Sequence, residues 1–128
     1  MTQKNIDRMD IIVNELAAGK TISDALKTVY SKRNVVLPYN EELLSAGVEK
    51  LGMSLRTTNA LRRSRIKTLN DVVNYCKKQK ITTVKTFGHS SGVELFETIL
   101  NYLWDRMNVK ERTDFLIDTV ERNEQYAV

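Results

Sequence analysis

The sequence has 128 residues, 41% hydrophobic and 28% charged, a composition typical of a globular chain and not of a disordered one. One cysteine and one histidine exclude an internal disulfide and are too few for an ordinary zinc site. No apolar run approaches the about 18 residues of a membrane-spanning helix, and the first residues lack the apolar core of a signal peptide, so we expect a cytoplasmic protein with no metal or cofactor.

The net charge of +4 is distributed unevenly along the sequence. Residues 1–53 are neutral and residues 91–128 are acidic, whereas residues 54–90 hold nine basic residues against a single acid, Asp71. A solvated charged face could have the same composition. A segment this one-sided nevertheless favours a polyanionic partner such as DNA.

The first thirty residues predict a pair of helices. Residues 5–18 carry a stripe with helical spacing, formed by Ile6, Met9, Ile12, Val13, Leu16 and Ala17. Gly19 ends this helix, and Thr21, with Asp24 three residues on, begins a second one. The buried side of the second helix should be Ile22, Ala25, Leu26, Val29 and Tyr30. Such a hairpin resembles a helix-turn-helix, but hairpins of this kind are more often packing units. We expect residues 1–40 to be a helical extension, which could also form a homodimer with a second copy.

The main domain is expected over residues 41–107. Asn40 can cap a short helix over 41–46, since its side-chain oxygen can accept from the free amides of the first turn. A further helix is expected over 55–64, with two inward-facing leucines, Leu55 and Leu61.

The next helix should begin at Thr68, because Thr68 and Asp71 have the spacing of a capping box. Its inner stripe is expected to be Leu69, Val72, Val73 and Cys76, with Cys76 a small buried hydrophobe. Residues 81–86 can form one turn of helix at most.

Two helices complete the sequence. A long one is expected from Ser90 or Ser91 to about Met107, with an apolar stripe of Val93, Phe96, Ile99, Leu100, Leu103 and Trp104. Asn108 and Glu111 should cap a last helix within residues 108–128, in which Phe115, Leu116 and Val120 are apolar. No strand is evident, so the predicted fold class is all-α, a compact four-to-five-helix domain with an N-terminal helical hairpin and an extra C-terminal helix.

Two stretches of the main domain could form a DNA-binding site. Arg56 and Asn59 lie three residues apart on one helix, so both side chains can reach one surface. An arginine in the minor groove with an asparagine beside it can distinguish A·T from G·C pairs. The turn at residues 88–91 leads into a helix N-terminus, where free amides and the helix dipole favour phosphate.

Within that turn, Gly88 allows close approach of the backbone, Ser90 and Ser91 add hydroxyl donors, and His89 can touch phosphate. Sequence-independent attraction to phosphate would come from Arg62, Arg63, Arg65, Lys67 and Lys85. Each of these residues also has a plainer interpretation. Arg56 could be a surface ion-pair partner, Asn59 a polar residue on a helix face, and Ser90 or Ser91 a helix cap.

Three motifs resemble the carboxy-terminal domain of the bacterial RNA polymerase α subunit. They are VEKLGMSLRTTNAL at residues 48–61, IKTLNDVV at 66–73 and GHSSGVEL at 88–95, and the likeness covers residues 42–103. The resemblance implies a compact helical fold with helix-hairpin-helix character. It also implies binding to the minor groove of A·T-rich upstream promoter DNA and contact with transcription activators.

The resemblance assigns roles to individual positions. It places the family's groove-reading arginine and asparagine at Arg56 and Asn59, and the other half of the site at Gly88, Ser91 and Glu94. Glu94 would orient Arg56 instead of touching DNA. Three departures from the family pattern affect affinity more than fold: Ser90 stands where the family has lysine, Ala60 stands where cysteine is frequent, and the segment before Gly88 is about two residues shorter.

Residues 1–40 and 108–128 have no counterpart in the isolated family domain. The sequence therefore predicts a free-standing protein built on this domain, such as a regulator from a phage or plasmid. Its expected function is non-enzymatic DNA binding in transcription, in contact with RNA polymerase or a transcription factor and not with a membrane. The alternative is an interaction module that binds RNA polymerase, a σ factor or an activator without binding DNA. An enzyme is poorly supported, because the sequence has no nucleophile–base pair and no Gly-Lys-Thr phosphate loop.

Overall fold

A computed structural model describes residues 1–31, 41–85 and 87–127, and the expected cap Asn40 lies outside these residues. The predicted all-α class is confirmed, since the described residues form α-helices with no strand and only two isolated β-bridges. The helices are α1 (Gln3–Ala17), α2 (Ile22–Val29), α3 (Glu41–Leu44), α4 (Leu55–Arg63), α5 (Leu69–Lys78), α6 (His89–Arg106) and α7 (Val109–Arg122). Single 3₁₀ turns are found at Val48–Leu51, Ile81–Thr83 and Glu124–Tyr126.

The described residues divide into two compact units. The terminal unit comprises residues 1–31 and 104–127, and the central unit comprises residues 41–85 and 87–103. The terminal unit thus contains described residues of both the N-terminal extension and the C-terminal helix, which are separate segments in the sequence. Helix α6 contributes its last three residues to the terminal unit and the others to the central one.

In the terminal unit, α1 packs against α2 and α7. Thr2 caps α1 through the amide of Asn5, so the helix begins two residues earlier than expected. Gly19, at φ 95°, ends it in a Schellman motif: its amide donates to Leu16 O, and the Lys20 amide donates to Glu15 O. The expected buried side of α2 is confirmed for all five of its residues.

The predicted stripe of α1 is only partly correct. Ile12 is fully buried, but Ile6 and Val13 are exposed, and Asn5 lies in the interior instead. The apolar pattern indicated a helix but not which side of the helix faces the core. Asn5 and Ile12, seven residues apart, lie on the same side of the helix and define the buried face.

The start of α7 and the role of Trp104 agree with the sequence. Asn108 and Glu111 form the expected capping box, and Phe115, Leu116 and Val120 are buried. Trp104 belongs to the core, with its ring in an edge-to-face contact with Phe115 at 5.9 Å between centroids. The guanidinium of Arg112 lies 4.9 Å from the Trp104 ring centroid, and its Nε donates to the Trp104 carbonyl at 3.0 Å.

In the central unit, two backbone hydrogen bonds join the loop before the first 3₁₀ turn to the start of α5. The Val48 amide donates to Lys67 O at 2.9 Å, and the Leu69 amide donates to Ala46 O at 3.0 Å. Between them Gly47 and Thr68 form an antiparallel bridge. The core inside this frame includes Val48, Leu61, Ile66, Leu69, Val72, Phe87, Leu95 and Ile99. Helix α4, which carries Arg56, is therefore held at its C-terminal end by the same core.

Two inward-facing predictions on α4 and α5 are wrong. Leu55 is 76% exposed, because Leu55 and Leu61 are six residues apart, about 240° around a helix, and cannot share a face. Cys76 is exposed as well. It lies in the last turns of α5, beyond the part of the helix that the core covers.

On α6 the first half of the predicted stripe is also wrong. Val93 and Phe96 are 42% and 45% exposed, whereas Leu95 is fully buried. Gly92 sets this rotation. A Cβ at Gly92 would come within 3.1 Å of Ile81 Cγ2, so the glycine side of α6 packs closely on the Ile81–Thr83 turn. The buried stripe consequently starts at Gly92 and continues through Leu95, Ile99 and Leu103.

Candidate nucleic-acid interface

Helix α4 presents one buried and one polar face. Ser54 Oγ caps the helix by accepting from the Thr57 amide at 3.2 Å. Thr57, Thr58, Ala60 and Leu61 are buried. Arg56, Asn59 and Arg63 are exposed at positions i, i+3 and i+7 and therefore share one face. Arg56 and Asn59 lie together on the surface in the first two turns of this helix.

The other half of the candidate site is the beginning of α6. The helix starts at His89, one residue before the predicted range, and its first helical bond runs from the Gly92 amide to Gly88 O at 3.1 Å. Among the described residues, the amides of residues 88–91 have no acceptor, and the hydroxyls of Ser90 and Ser91 have no partner. The N-terminus of this 18-residue helix therefore has free N–H donors at the positive end of the helix dipole.

Gly88 itself is surrounded by open space. A Cβ built on it meets no atom within 4 Å, and its backbone is not left-handed. The fold therefore does not require glycine here. Phe87, the residue before Gly88, is buried in the core. The backbone at Gly88 is therefore anchored on one side and unobstructed on the other.

These two halves meet at a half-open cavity of about 260 Å³. Arg56, Thr57 and Ala60 line it from α4, and Phe87, Ser90 and Ser91 line it from the turn into α6. Asn59, Gly88 and Glu94 are exposed and lie outside its lining. Within the described residues no ion pair joins Arg56 to Glu94, so the orienting role of Glu94 stays a prediction.

The surrounding surface is basic and lacks acidic partners. In the part of the protein that the structure describes, no carboxylate forms an ion pair with five exposed basic residues, Arg62, Arg63, Arg65, Lys67 and Lys85. The acid nearest in sequence to residues 62–67, Asp71, accepts instead from the backbone amides of Lys67 at 2.9 Å and Thr68 at 3.1 Å. The hydrogen bond from the Lys67 amide is the main cause that lowers the pKa of Asp71. Within the described residues, the Asp71 carboxylate thus caps α5 and forms no ion pair with the neighbouring basic side chains, which can therefore bind an anion.

Arg65 has a backbone conformation that was not predicted from the sequence. Its φ is 61°, the one left-handed non-glycine residue among those described. The Arg65 amide donates to Arg62 O, and the Ile66 amide donates to Leu61 O, the hydrogen-bond pattern of a Schellman motif. Glycine is the usual residue at this position, as Gly19 is at the end of α1. The sequence carries no signal for it, because only glycine, and less often asparagine, indicates a left-handed residue at the end of a helix.

The described residues offer no metal site, since no three His, Cys, Asp or Glu residues cluster among them. His89 is exposed at the first position of α6. No helix within the described residues is long and apolar enough to cross a membrane.

Fold and site together define an all-helical module whose central unit carries an arginine beside a free helix N-terminus. Residues 38–101, half of the sequence, match the family of the carboxy-terminal domain of the bacterial RNA polymerase alpha subunit. The protein belongs to this family.

Similar proteins include DNA-directed RNA polymerase alpha subunits from several organisms. That of Gracilaria tenuistipitata var. liui is 32% identical over 69 residues, 54% of this sequence and 22% of the relative. That of Thalassiosira pseudonana is 38% identical over 56 residues, 44% and 18% of the two sequences. That of Dehalococcoides mccartyi (strain ATCC BAA-2266 / KCTC 15142 / 195) is 31% identical over 86 residues, 67% and 26%. The matches thus span about a quarter or less of each relative's length. No solved structure matches the protein.

Proposed function

We propose that the protein is a non-enzymatic DNA-binding protein of transcription that binds A·T-rich duplexes through the minor groove. The observation that carries this proposal is the shared cavity. Arg56 from α4 and the serines of the α6 N-terminus line one opening, on a surface where basic side chains have no acidic partners among the described residues.

Arg56 would supply the sequence preference. A·T-rich tracts have a narrow minor groove with enhanced negative potential, which attracts an inserted arginine. Asn59, on the same exposed face, can donate to the A N3 and T O2 acceptors, whereas a G·C pair places the guanine amino group in that position. The preference would thus follow from groove width and from one donor–acceptor difference.

The α6 N-terminus would fix the position of the backbone. Free amides at residues 88–91 and the helix dipole favour a phosphate, and the hydroxyls of Ser90 and Ser91 add two donors. Gly88 allows the phosphate to approach the backbone, because no side chain stands in the way. Phosphate contacts of this kind set register without carrying sequence information.

The exposed basic residues at positions 62–67 and Lys85 would contribute sequence-independent attraction. Each phosphate that they neutralise releases counterions and adds about 0.9 to the slope of log affinity against log salt. Their contribution is therefore measurable separately from that of Arg56.

The test is a fluorescence-anisotropy titration of A·T-rich and G·C-rich duplexes at several salt concentrations. Arg56→Ala should abolish the A·T preference. Lys67→Ala should weaken binding to both duplexes alike and lower the salt slope by about 1. Equal losses of preference from both substitutions would contradict a dedicated groove site.

A second candidate is a module that binds RNA polymerase, a σ factor or an activator without DNA. Exposed Val93 and Phe96 on α6 favour it, since large apolar side chains at a surface often mark protein contacts. Ser90, in place of the family's lysine, points in the same direction. Co-purification of polymerase subunits that survives Arg56→Ala, without measurable DNA binding by the wild type, would support this candidate over the first.

A further inference from the structure

We propose that three lysines near the C-terminal end of α5 form a second contact with the DNA phosphate backbone. Lys77, Lys78 and Lys80 make up this lysine turn. The inference rests on the proposed DNA binding and extends it, because these residues lie outside the groove site and outside the basic residues at 62–67.

The lysine turn has an uncompensated charge. No Asp or Glu occurs between Asp71 and Glu94, and all three lysines are exposed. None of them forms an ion pair within the described part of the protein. Three neighbouring cations without a counter-charge fit a polyanion better than they fit a neutral or basic partner.

Side-chain hydrogen bonds hold this turn in shape. Tyr75 Oη and Thr83 Oγ1 lie 2.6 Å apart, and Thr83 Oγ1 also donates to the Lys80 carbonyl at 2.7 Å. The backbone that carries the lysines is thus tied to α5 on one side and to the Ile81–Thr83 turn on the other. Binding here would order the lysine side chains without first ordering the backbone.

The lysine turn leads directly into the Ile81–Thr83 turn, which packs on the start of α6. Ile81 is buried, and its Cγ2 lies 3.1 Å from the position of a Cβ on Gly92. Gly92 is one helical step from the free amides at residues 88–91. Lys67 precedes α5 and the lysine turn ends it. Since α5 has ten residues, the two are about 15 Å apart, roughly four base pairs along a duplex at about 3.4 Å each. Cations at both ends can therefore reach different phosphates of one bound duplex.

Lysines in the last turn of a helix also interact favourably with its dipole. In the alternative interpretation, the lysines stabilise the fold through this interaction and do not contact DNA. It predicts that removing the charges lowers the stability of the fold and leaves the salt dependence of DNA binding unchanged.

The experiment compares Lys77→Gln/Lys78→Gln/Lys80→Gln with the wild type on an A·T-rich duplex over a salt series. A matched control, Lys4→Gln/Lys27→Gln/Lys110→Gln, removes the same charge from the terminal unit. We expect the lysine-turn variant to lose about 0.9 of salt slope for each contact removed, between about 2 and 3 in total, while the ratio of A·T to G·C affinity stays constant. The control should keep the slope of the wild type.

An unchanged slope in the lysine-turn variant overturns the inference, and so does a loss that the control shares. Loss of polymerase binding with an unchanged DNA slope also overturns it, and identifies the turn as a protein contact. If circular dichroism shows that the triple variant is unfolded, the salt slopes of the three single Lys→Gln variants replace its measurement.

Arg56→Ala is measured in the same series to separate the two proposals. An A·T preference that depends on Arg56, with an unchanged lysine-turn slope, refutes only the further inference. Absence of DNA binding by the wild type refutes the proposed function and this inference with it.

Discussion

Among the described residues, Arg65 is the one non-glycine residue with a left-handed backbone. Its φ of 61° at the end of α4 is a conformation that costs an L-residue about 1 kcal/mol or more relative to glycine. Strained residues persist where the surroundings fix them, and they are frequent at functional sites. At Arg65 the strain places an exposed guanidinium on the basic surface.

Arg65→Gly should therefore stabilise the fold by up to about 1 kcal/mol while it weakens DNA binding through the lost charge. Thermal unfolding and anisotropy titration measure the two effects on the same sample. Arg65→Ala is the control, since it removes the charge but keeps a Cβ in the left-handed region. A gain in stability from Arg65→Ala equal to that from Arg65→Gly would contradict strain as the cause.

Gly88 gives the second prediction at this scale. Because a Cβ there meets no protein atom, Gly88→Ala should leave the melting temperature nearly unchanged and reduce DNA affinity by blocking the approach of phosphate. Gly92→Ala is the matched control. Its Cβ would come within 3.1 Å of Ile81 Cγ2, so its melting temperature should respond to the added methyl group.

Unchanged DNA affinity in a folded Gly88→Ala variant would contradict a phosphate site at this turn. Anisotropy titration on one A·T-rich duplex, with circular dichroism as the check on folding, decides the point.

Residue spacing predicted part of the candidate site and missed the rest for physical reasons. A spacing of three positions between Arg56 and Asn59 suffices to place both on one face once α4 exists. The cavity that Arg56 lines together with Ser90 and Ser91 of the α6 N-terminus depends on how two helices pack, which spacing alone does not specify. The conformation of Arg65 was hidden because arginine carries no preference for the left-handed region.

The start of α5 shows how a local motif determines an element. Thr68 and Asp71 form a complete capping box, and the Asp71 carboxylate accepts from two backbone amides. The hydrogen bond from the Lys67 amide, above all, lowers the pKa of Asp71 relative to its ordinary value of about 3.9.

This shift has a definite sign in the stability of the fold. A carboxyl with a lowered pKa in the folded state stabilises fully above its unfolded-state pKa, about 3.9, and loses that contribution as the pH falls through the folded pKa. The free energy of unfolding should therefore decrease as the pH is lowered below about 4. Asp71→Asn should make the free energy of unfolding depend less on pH in this range.

Chemical denaturation between pH 2 and pH 7 measures the effect. Asp105→Asn, which replaces an exposed acid of α6, is the control and should leave the slope in place. An identical acid profile for the wild type and Asp71→Asn would contradict the role given to the capping carboxylate.

Caps were the most reliable signals of element boundaries. Thr21, Thr68 and Asn108 begin α2, α5 and α7 as expected, because a side-chain acceptor at that position satisfies the free amides of the first turn. The rotation of a helix was less readable. On α6 the packing of Gly92 against Ile81 buries Leu95 instead of Val93 and Phe96, and a glycine contributes nothing to an apolar pattern.

At the scale of the whole molecule, the sequence predicted the all-α class and the family of the central unit. It predicted the hairpin of α1 and α2 but did not reveal that α1 also packs with α7, since an apolar stripe marks a buried face without naming its partner. The uneven charge, in contrast, was readable directly. The basic segment at residues 54–90 includes α4 and the turn into α6, the two elements that line the candidate site.

We propose that the protein binds DNA through the minor groove. The most direct test replaces each guanine of a G·C-rich duplex with inosine, which lacks the guanine 2-amino group. An I·C pair resembles A·T in the minor groove and keeps the hydrogen-bonding pattern of G·C in the major groove. Anisotropy titration then compares A·T-rich, G·C-rich and I·C duplexes of the same length at one salt concentration. We expect the I·C duplex to bind like the A·T-rich one, and Arg56→Ala to remove the difference among all three. Binding of the I·C duplex with the affinity of the G·C duplex would contradict recognition through the minor groove.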